Sequence, residues 1–212
     1  MTELLIATTN SGKIREIVPI LEGSPFRLLT LADLRRAISE PEETGRTFGE
    51  NARLKAGYYA GVTGLLTVAE DSGLAVDALG GRPGIHSARY PGDTYPDRFQ
   101  NLYRELAPHS RPWTARYICA LALVEPNPPL SHSPTPPLFE CSGVVEGEIW
   151  PEPRGTQGFG YDPIFYFPEY GATFGEVDDA RKSLVAHRGR AFRQLREFLN
   201  SGPWTLDPGL SS

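Results

Sequence analysis

Cysteine is nearly absent from this chain: Cys119 and Cys141 are the only two among 212 residues, and no C-x-x-C spacing occurs. That is too few for a disulfide framework and suggests no zinc site, so two buried free thiols are expected. Long apolar runs are missing as well. No stretch approaches the ~20 residues that cross a bilayer, and the opening MTELLIATTN has neither a basic n-region with a long apolar stretch nor a cleavage site. A cytoplasmic protein with no membrane partner is expected. There is no basic excess either: the formal net charge of −5 argues against a nucleic-acid polymer as partner and leaves room for a small anion in a local positive pocket. The chain also lacks a G-x-x-x-x-G-K-[ST] phosphate loop, a G-x-G-x-x-G fingerprint and any internal repeat.

What is present reads as one soluble globular unit of alternating strands and helices, with 40% hydrophobic residues. Residues 4–7 form a short apolar strand, followed by the polar turn Thr8, Thr9, Asn10, Ser11, Gly12, Lys13. Ile14, Ile17, Val18 and Leu21 then repeat at helical spacing, with Pro19 predicting a kink or an early end. Further helices are predicted over 47–61, with Phe48, Ala52 and Ala56 on one side, and over 97–106. Two β-rich segments, 114–124 and 138–150, read as neighbouring strands joined by a proline-rich surface loop at 125–137. The last twelve residues, 201–212, read as a loosely ordered tail.

The chemistry concentrates in the run AEDSGLAVDALGGRPGIHSARY, residues 69–90, where Glu70 and Asp71 stand side by side. An apolar strand over 65–69 is expected to give way there to a Ser72-Gly73 turn. Adjacent carboxylates raise one another's pKa unless a cation neutralises them, and oxygen ligands of this kind suit Mg²⁺ bridging to phosphates. The turn at 8–13 offers free backbone N–H groups and a helix N-terminus to an anion, although TTNSGK in isolation is more often an N-cap and turn than a ligand site. In PEETGRTFGENARLKA, residues 41–56, Asn51 and Lys55 share a helix face and could reach one ligand. GFGYDPIFYFP, residues 158–168, supplies an aromatic platform from Phe159 and Tyr161 and an acceptor from Asp162, or else a tight loop feeding a strand. Among the cations of 181–196, Arg190, Arg193 and Arg196 read as a solvated helix face, while Lys182, His187 and Arg188 are ligand candidates.

In their order, these clusters resemble the Ham1-type inosine triphosphate pyrophosphatase family over residues 4 to about 199, through ATTNSGKIREI, ETGRTFGENARLKA, EDSGLAVDALGGRPGIHSARY, GFGYDPIF and KSLVAHRGRA. The resemblance implies an α/β fold with a long mixed twisted sheet, flanking helices and two lobes around a nucleotide-binding cleft. It implies a single domain over 1–200, usually in a homodimer. It further implies Mg²⁺-dependent hydrolysis of non-canonical purine nucleoside triphosphates, those of inosine, deoxyinosine and xanthosine, to the monophosphate and pyrophosphate, with a catalytically inactive nucleotide-binding sensor or a pyrophosphatase for other modified nucleoside triphosphates as the alternatives. On that basis Asp71 is the expected catalytic carboxylate and metal ligand, with Glu43 and Glu70 beside the metal. Thr8 to Lys13, Asn51, Lys55 and Lys182 are expected on the triphosphate side, and Ser72 on a phosphate or ribose oxygen. Phe159, Gly160, Tyr161, Asp162, His187 and Arg188 are expected around the base. Donors there favour a 6-keto purine; guanine shares that group, so its rejection must rest on the 2-position. Two departures stand out: Glu70 replaces the family's aspartate, and Ala186 its serine, a loss worth ~0.5–2 kcal/mol if that residue caps the final helix. Glu176 is expected in a surface ion pair.

Overall fold

The computed structural model describes residues 2–126 and 136–202. Its seven-stranded sheet has the order β2-β1-β3-β4-β5-β6-β7. β1 (Glu3–Ile6) lies parallel to both β2 (Arg27–Thr30) and β3 (Leu66–Val76), and every later pairing is antiparallel. The long strands β3, β4 (Thr114–Val124) and β5 (Phe139–Ile149) form the middle, and β6 (Phe165–Phe167) and β7 (Ala172–Thr173) extend one edge. A parallel strand covered on both faces must be apolar throughout, and Leu4, Leu5 and Ile6 are all buried.

Two helical crossovers impose the parallel start. Asn10 accepts from the backbone N–H of Lys13 at 3.2 Å and begins α1 (Ser11–Leu21), which carries Pro19 in its last turn and runs on to Leu21, the last of its predicted apolar positions, without an early end. Thr47 likewise accepts from Glu50 N–H at 3.1 Å and starts α2 (Phe48–Thr63), which Gly64 closes in the left-handed conformation at φ 70°. α2 lies on one face, where Ala52, Ala56 and Ala60 let it pack close to Leu5, Ala69 and Ala122. α1 and α5 (His187–Ser201) cover the opposite face, with Ile17, Phe192 and Leu195 against Leu4, Val68 and Leu121. α3 (Tyr95–Leu106) and β6 enclose a separate core around the far ends of the long strands, built on Leu74, Phe99, Leu102, Tyr117 and Phe165. α4 (Asp179–Val185) leads directly into α5.

Several expectations change. The strand through Glu70 and Asp71 does not end in a turn: β3 runs on to Val76, with Ser72 opposite Cys119 and Gly73 opposite Ile118. Gly73 serves a close approach instead, since a Cβ there would stand 2.4 Å from Ser87 Oγ and 2.5 Å from the carbonyl oxygen of Gly84. The 3₁₀ segment Gly84–Arg89 therefore packs onto the strand. On the β1 side, β3 loses its partner after Val68, and the next bridge is Ala75 with Pro83. Arg190, Arg193 and Arg196 are not merely a solvated face. They donate to the carbonyls of Val144, Ser183, Leu184 and Ile20, fastening α5 to β5, α4 and α1. Glu176 makes a capping box, accepting from Thr173 N–H at 2.8 Å, rather than a surface ion pair. Cys119 is buried and Cys141 half-buried, both free. β4 and β5 are neighbours as expected, but 127–135 of the proline-rich connection and 203–212 of the tail lie outside the described residues; Ser201 still belongs to α5.

Glycines separate close packing from open surface. A Cβ on Gly143 would meet the carbonyl oxygen of His187 at 2.1 Å, whereas one on Gly57, in the middle of α2, would meet nothing within 4 Å. Gly143→Ala should lose about 1–3 kcal/mol by forcing α5 off β5. Gly57→Ala should gain about 1 kcal/mol from helix propensity. Urea unfolding of the two variants beside the parent checks both signs.

Candidate active site

The polypeptide turns away from the sheet at the carboxyl end of β1, where open α/β sheets leave a crevice. A cleft of about 690 Å³ opens there, bounded by the Thr8 to Asn10 turn, the loop before α2, the 3₁₀ segment over β3 and the Phe159 to Asp162 loop. Of the residues expected at a ligand site, all line this cleft except Ser11, Gly12 and Asn51. Ser11 is exposed at the start of α1. Gly12 lies beneath Phe159, whose ring would be 2.8 Å from a Cβ at that position. Asn51 is wholly buried beside Asp71.

Neighbouring residues on a strand face opposite ways, and this alternation divides the carboxylate pair. Glu70 turns toward α1 and α5, where its Oε1 lies 2.7 Å from Lys13 Nζ and 3.5 Å from Arg188 Nη2 and its Oε2 accepts from the Cys119 thiol at 3.3 Å. Burial alone would raise its pKa, but the two cations overcome that and hold it well below the usual carboxylate range. Asp71 turns toward α2: Oδ2 accepts from Asn51 Nδ2 at 3.0 Å, and Oδ1 lies 3.4 Å from Lys55 Nζ. Here burial prevails over the Lys55 charge and the Asn51 bond, with Glu70 and Glu43 adding repulsion, so the Asp71 pKa is raised. One strand thus carries a permanently ionised carboxylate and, next to it, a more basic one.

Lys55 also reaches Glu43 at 2.7 Å, and Glu43 binds Arg89 at 3.0 Å. The three carboxylates expected around one metal are therefore not gathered into one cluster. Among the described residues no group of three His, Cys, Asp or Glu is placed to hold an ion. Glu43 and Asp71 nevertheless supply hard oxygens on either side of one ammonium, and Mg²⁺ commonly takes only one or two carboxylates together with waters and substrate phosphates. The donor set fits Mg²⁺ on those terms, with Glu70 committed to Lys13 and Arg188.

A buried charge ladder closes the inner wall. Glu16 of α1 binds Lys182 Nζ at 2.7 Å and Arg188 Nη1 at 2.5 Å, and Lys182 continues to Asp162 Oδ2 at 2.5 Å. Asp162 also accepts from Phe159 N–H at 2.7 Å and from Tyr117 OH at 3.3 Å, so its carboxylate organises its own loop. The expected aromatic platform narrows to Phe159. Tyr161 is buried against Tyr95 and Phe99 and donates to the carbonyl of Ser87 at 2.9 Å. His187 stacks on Tyr117 at 4.7 Å, and its Nδ1 has no partner among the described residues. Burial, then the Arg188 and Lys182 charges, push its pKa well down and keep the imidazole neutral. Arg188 bonds Ser72 Oγ at 2.8 Å yet leaves Nε unpartnered. Ala186 is the N-cap of α5 and makes no side-chain cap, as the missing serine implied.

Glu16, Arg89 and Tyr117 were not singled out by the sequence reading. Glu16 carried a signal: a lone acid three residues after Lys13, beside the apolar positions of α1. Tyr117 and Arg89 carried none, because they reach the cleft through strand pairing and a 3₁₀ segment.

The fold and the cleft define an α/β protein with a charged ligand pocket at a strand's carboxyl end, and comparison with known proteins is specific. The sequence model of the Ham1 family matches residues 4–198. The dITP/XTP pyrophosphatase of Geobacter sulfurreducens is 47% identical over 204 residues, 94% of this chain and 97% of that protein. That of Thermus thermophilus is 45% identical over 206 residues, 95% of this chain and 93% of that protein. The HAM1 protein structure from Coxiella burnetii superposes with a TM-score of 0.83 at 38% identity, covering 95% of this chain and 100% of that one. The chain belongs to the Ham1 family.

Glu16 offers a test of the ladder. Burial would raise its pKa, but Arg188 and Lys182 lower it below the ordinary 4.5. Its stabilisation is therefore complete above that value and fades as pH falls through the depressed folded pKa. Glu16→Gln, which leaves two buried cations short of a carboxylate, should cost about 3–5 kcal/mol near neutrality. Denaturant unfolding between pH 7 and 3 should show the gap between parent and variant closing at the acid end.

Proposed function

We propose that this chain is a Mg²⁺-dependent pyrophosphohydrolase that converts inosine, deoxyinosine and xanthosine triphosphates to the monophosphate and pyrophosphate. The observation that carries the reading is the place of Asp71: a carboxylate of raised pKa flanked by Lys55, in a cleft that Lys13 also lines and where the Phe159 ring packs over the start of α1. The dITP/XTP pyrophosphatase relatives support the substrate class.

In this reading the triphosphate lies against Thr8 to Asn10, Lys13 and Lys55, whose donors and charges offset the negative charge that develops as the bond between the α- and β-phosphates breaks. Asp71 orients the attacking water and takes its proton, a role suited to a carboxylate more basic than usual. Asp71 and Glu43 would hold Mg²⁺, which when bound draws charge from the phosphate oxygens. Glu70 keeps Lys13 and Arg188 in position. The base stacks on Phe159. Arg188, which lines the cleft and can only donate, favours a 6-keto acceptor over the 6-amino donor of adenine. Neutral His187 completes the pocket. The reading includes a cytoplasmic homodimer, which light scattering of the purified chain tests; among the described residues no helix is long and apolar enough to cross a membrane.

Product analysis across inosine, xanthosine, guanosine and adenosine triphosphates decides the main point. Pyrophosphate and monophosphate should appear, fastest with the first two, and chelation of Mg²⁺ should stop turnover. Orthophosphate with a diphosphate product, or equal rates for all four, would overturn the assignment; binding without turnover would identify a sensor. Asp71→Asn should keep nucleotide affinity and lose about 10²–10⁴-fold in kcat. Lys13→Ala should weaken both affinity and rate.

A further inference from the structure

Asn51 was expected to touch substrate, but it has no exposed surface and does not line the cleft. Both ends of its amide are engaged. Nδ2 donates to Asp71 Oδ2 at 3.0 Å, and Oδ1 accepts from Gly45 N–H at 2.9 Å. We infer that Asn51 is a positioning residue that locks the loop carrying Glu43 to the Asp71 carboxylate, an inference that rests on the hydrolytic role proposed for Asp71.

The bonds form a closed circuit. From Asp71 it passes through the Asn51 amide to Gly45, two residues along the loop to Glu43, across 2.7 Å to Lys55 and over 3.4 Å back to Asp71. Asn51 and Lys55 lie four apart on α2, so a single helix face carries both returns. The two Asp71 oxygens have different partners, Oδ2 the amide and Oδ1 the ammonium, which fixes the rotation of the carboxylate. Only a side chain with a donor at one end and an acceptor at the other can satisfy Asp71 and a backbone N–H together.

The loop is shaped to receive this amide. A Cβ on Gly45 would lie 2.5 Å from Asn51 Oδ1 and 2.9 Å from the Asn51 backbone nitrogen, so only glycine lets the loop settle there. Arg46 N–H donates to Glu50 Oε2 at 2.6 Å immediately afterwards and pins the same stretch to the start of α2. Glu43 thereby stands over Lys55 because Gly45 is held, and Gly45 is held by the side chain that also orients Asp71.

Support from a neighbouring amide typically affects activity by ~10–100-fold. Asn51→Ala should lower kcat by about that factor while inosine triphosphate KM and its binding to the folded protein stay within about twofold. Asn51→Asp keeps the size and the acceptor for Gly45 but replaces the donor to Asp71 with a second buried carboxylate, and should show the same split in kcat and KM together with a lowered melting temperature. Gly45→Ala, with Asn51 intact, should lower kcat by pushing the loop off the amide. The deciding measurement is a double-mutant cycle: in an Asp71→Asn background, Asn51→Ala should have almost no further effect on residual kcat. A merely structural residue would cost the same in both backgrounds, and that additivity overturns the inference. So does a rise in KM with unchanged kcat, which would return Asn51 to substrate contact. If Asn51→Ala does not fold, the same cycle run with Asn51→Asp is decided by the same two outcomes. Failure of the parent to release pyrophosphate would instead reject the proposed function.

Discussion

Glu70 sits inside the sheet with its side chain almost wholly out of water, and a carboxylate there persists as an anion only with cations pressed against it. Those cations come from α1 and α5, helices at opposite ends of the sequence. Lys13 and Arg188 are drawn to the same point, and with them the Thr8 to Asn10 turn and the start of α5. Glu16 repeats the device in the helix layer above the sheet, joining Arg188 to Lys182 and through it to the loop of Phe159. Hydrophobic packing supplies the stability of such a sheet, but these ionic contacts decide where the walls of the cleft stand relative to one another.

This arrangement also separates two uses of the same functional group. Glu70 and Asp71 are one peptide bond apart, yet the pleat sends them to different helices, different cations and opposite pKa shifts. A cluster of equivalent acids would repel and share protons. The strand instead gives each its own counter-charge, so that one acid can be structural and the other basic enough for chemistry.

Much of the frame was legible in the residues. The alternating apolar content of 114–124 reproduces β4 to the residue, and α2 differs from its predicted range by one residue at the start and two at the end, because Thr47 caps it and Gly64 closes it. Most of the polar clusters did converge on one cleft. Legibility failed where tertiary contact gives a residue its purpose. Ser72-Gly73 has turn composition but lies in mid-strand, because Gly73 makes room for the segment at Ser87. Asn51 looks like a ligand contact from its helix face, yet the loop folded back at Gly45 buries it. Tyr161 and Phe159 are equivalent aromatics in one short motif; only the packing of α3 shows that Tyr161 is core, while Phe159 stays half-buried at the cleft.

The early end of β1 has a further consequence. β3 outruns it, and among the described residues no strand lies alongside β3 on that side between Val68 and the Ala75 bridge. A sheet ordinarily meets the polarity of its backbone with another strand; here the Ser87 hydroxyl accepts from Leu74 N–H in place of one. The sheet is in that sense unfinished, and the stretch of β3 from Glu70 to Leu74 serves as a wall of the cleft instead of the middle of a ladder.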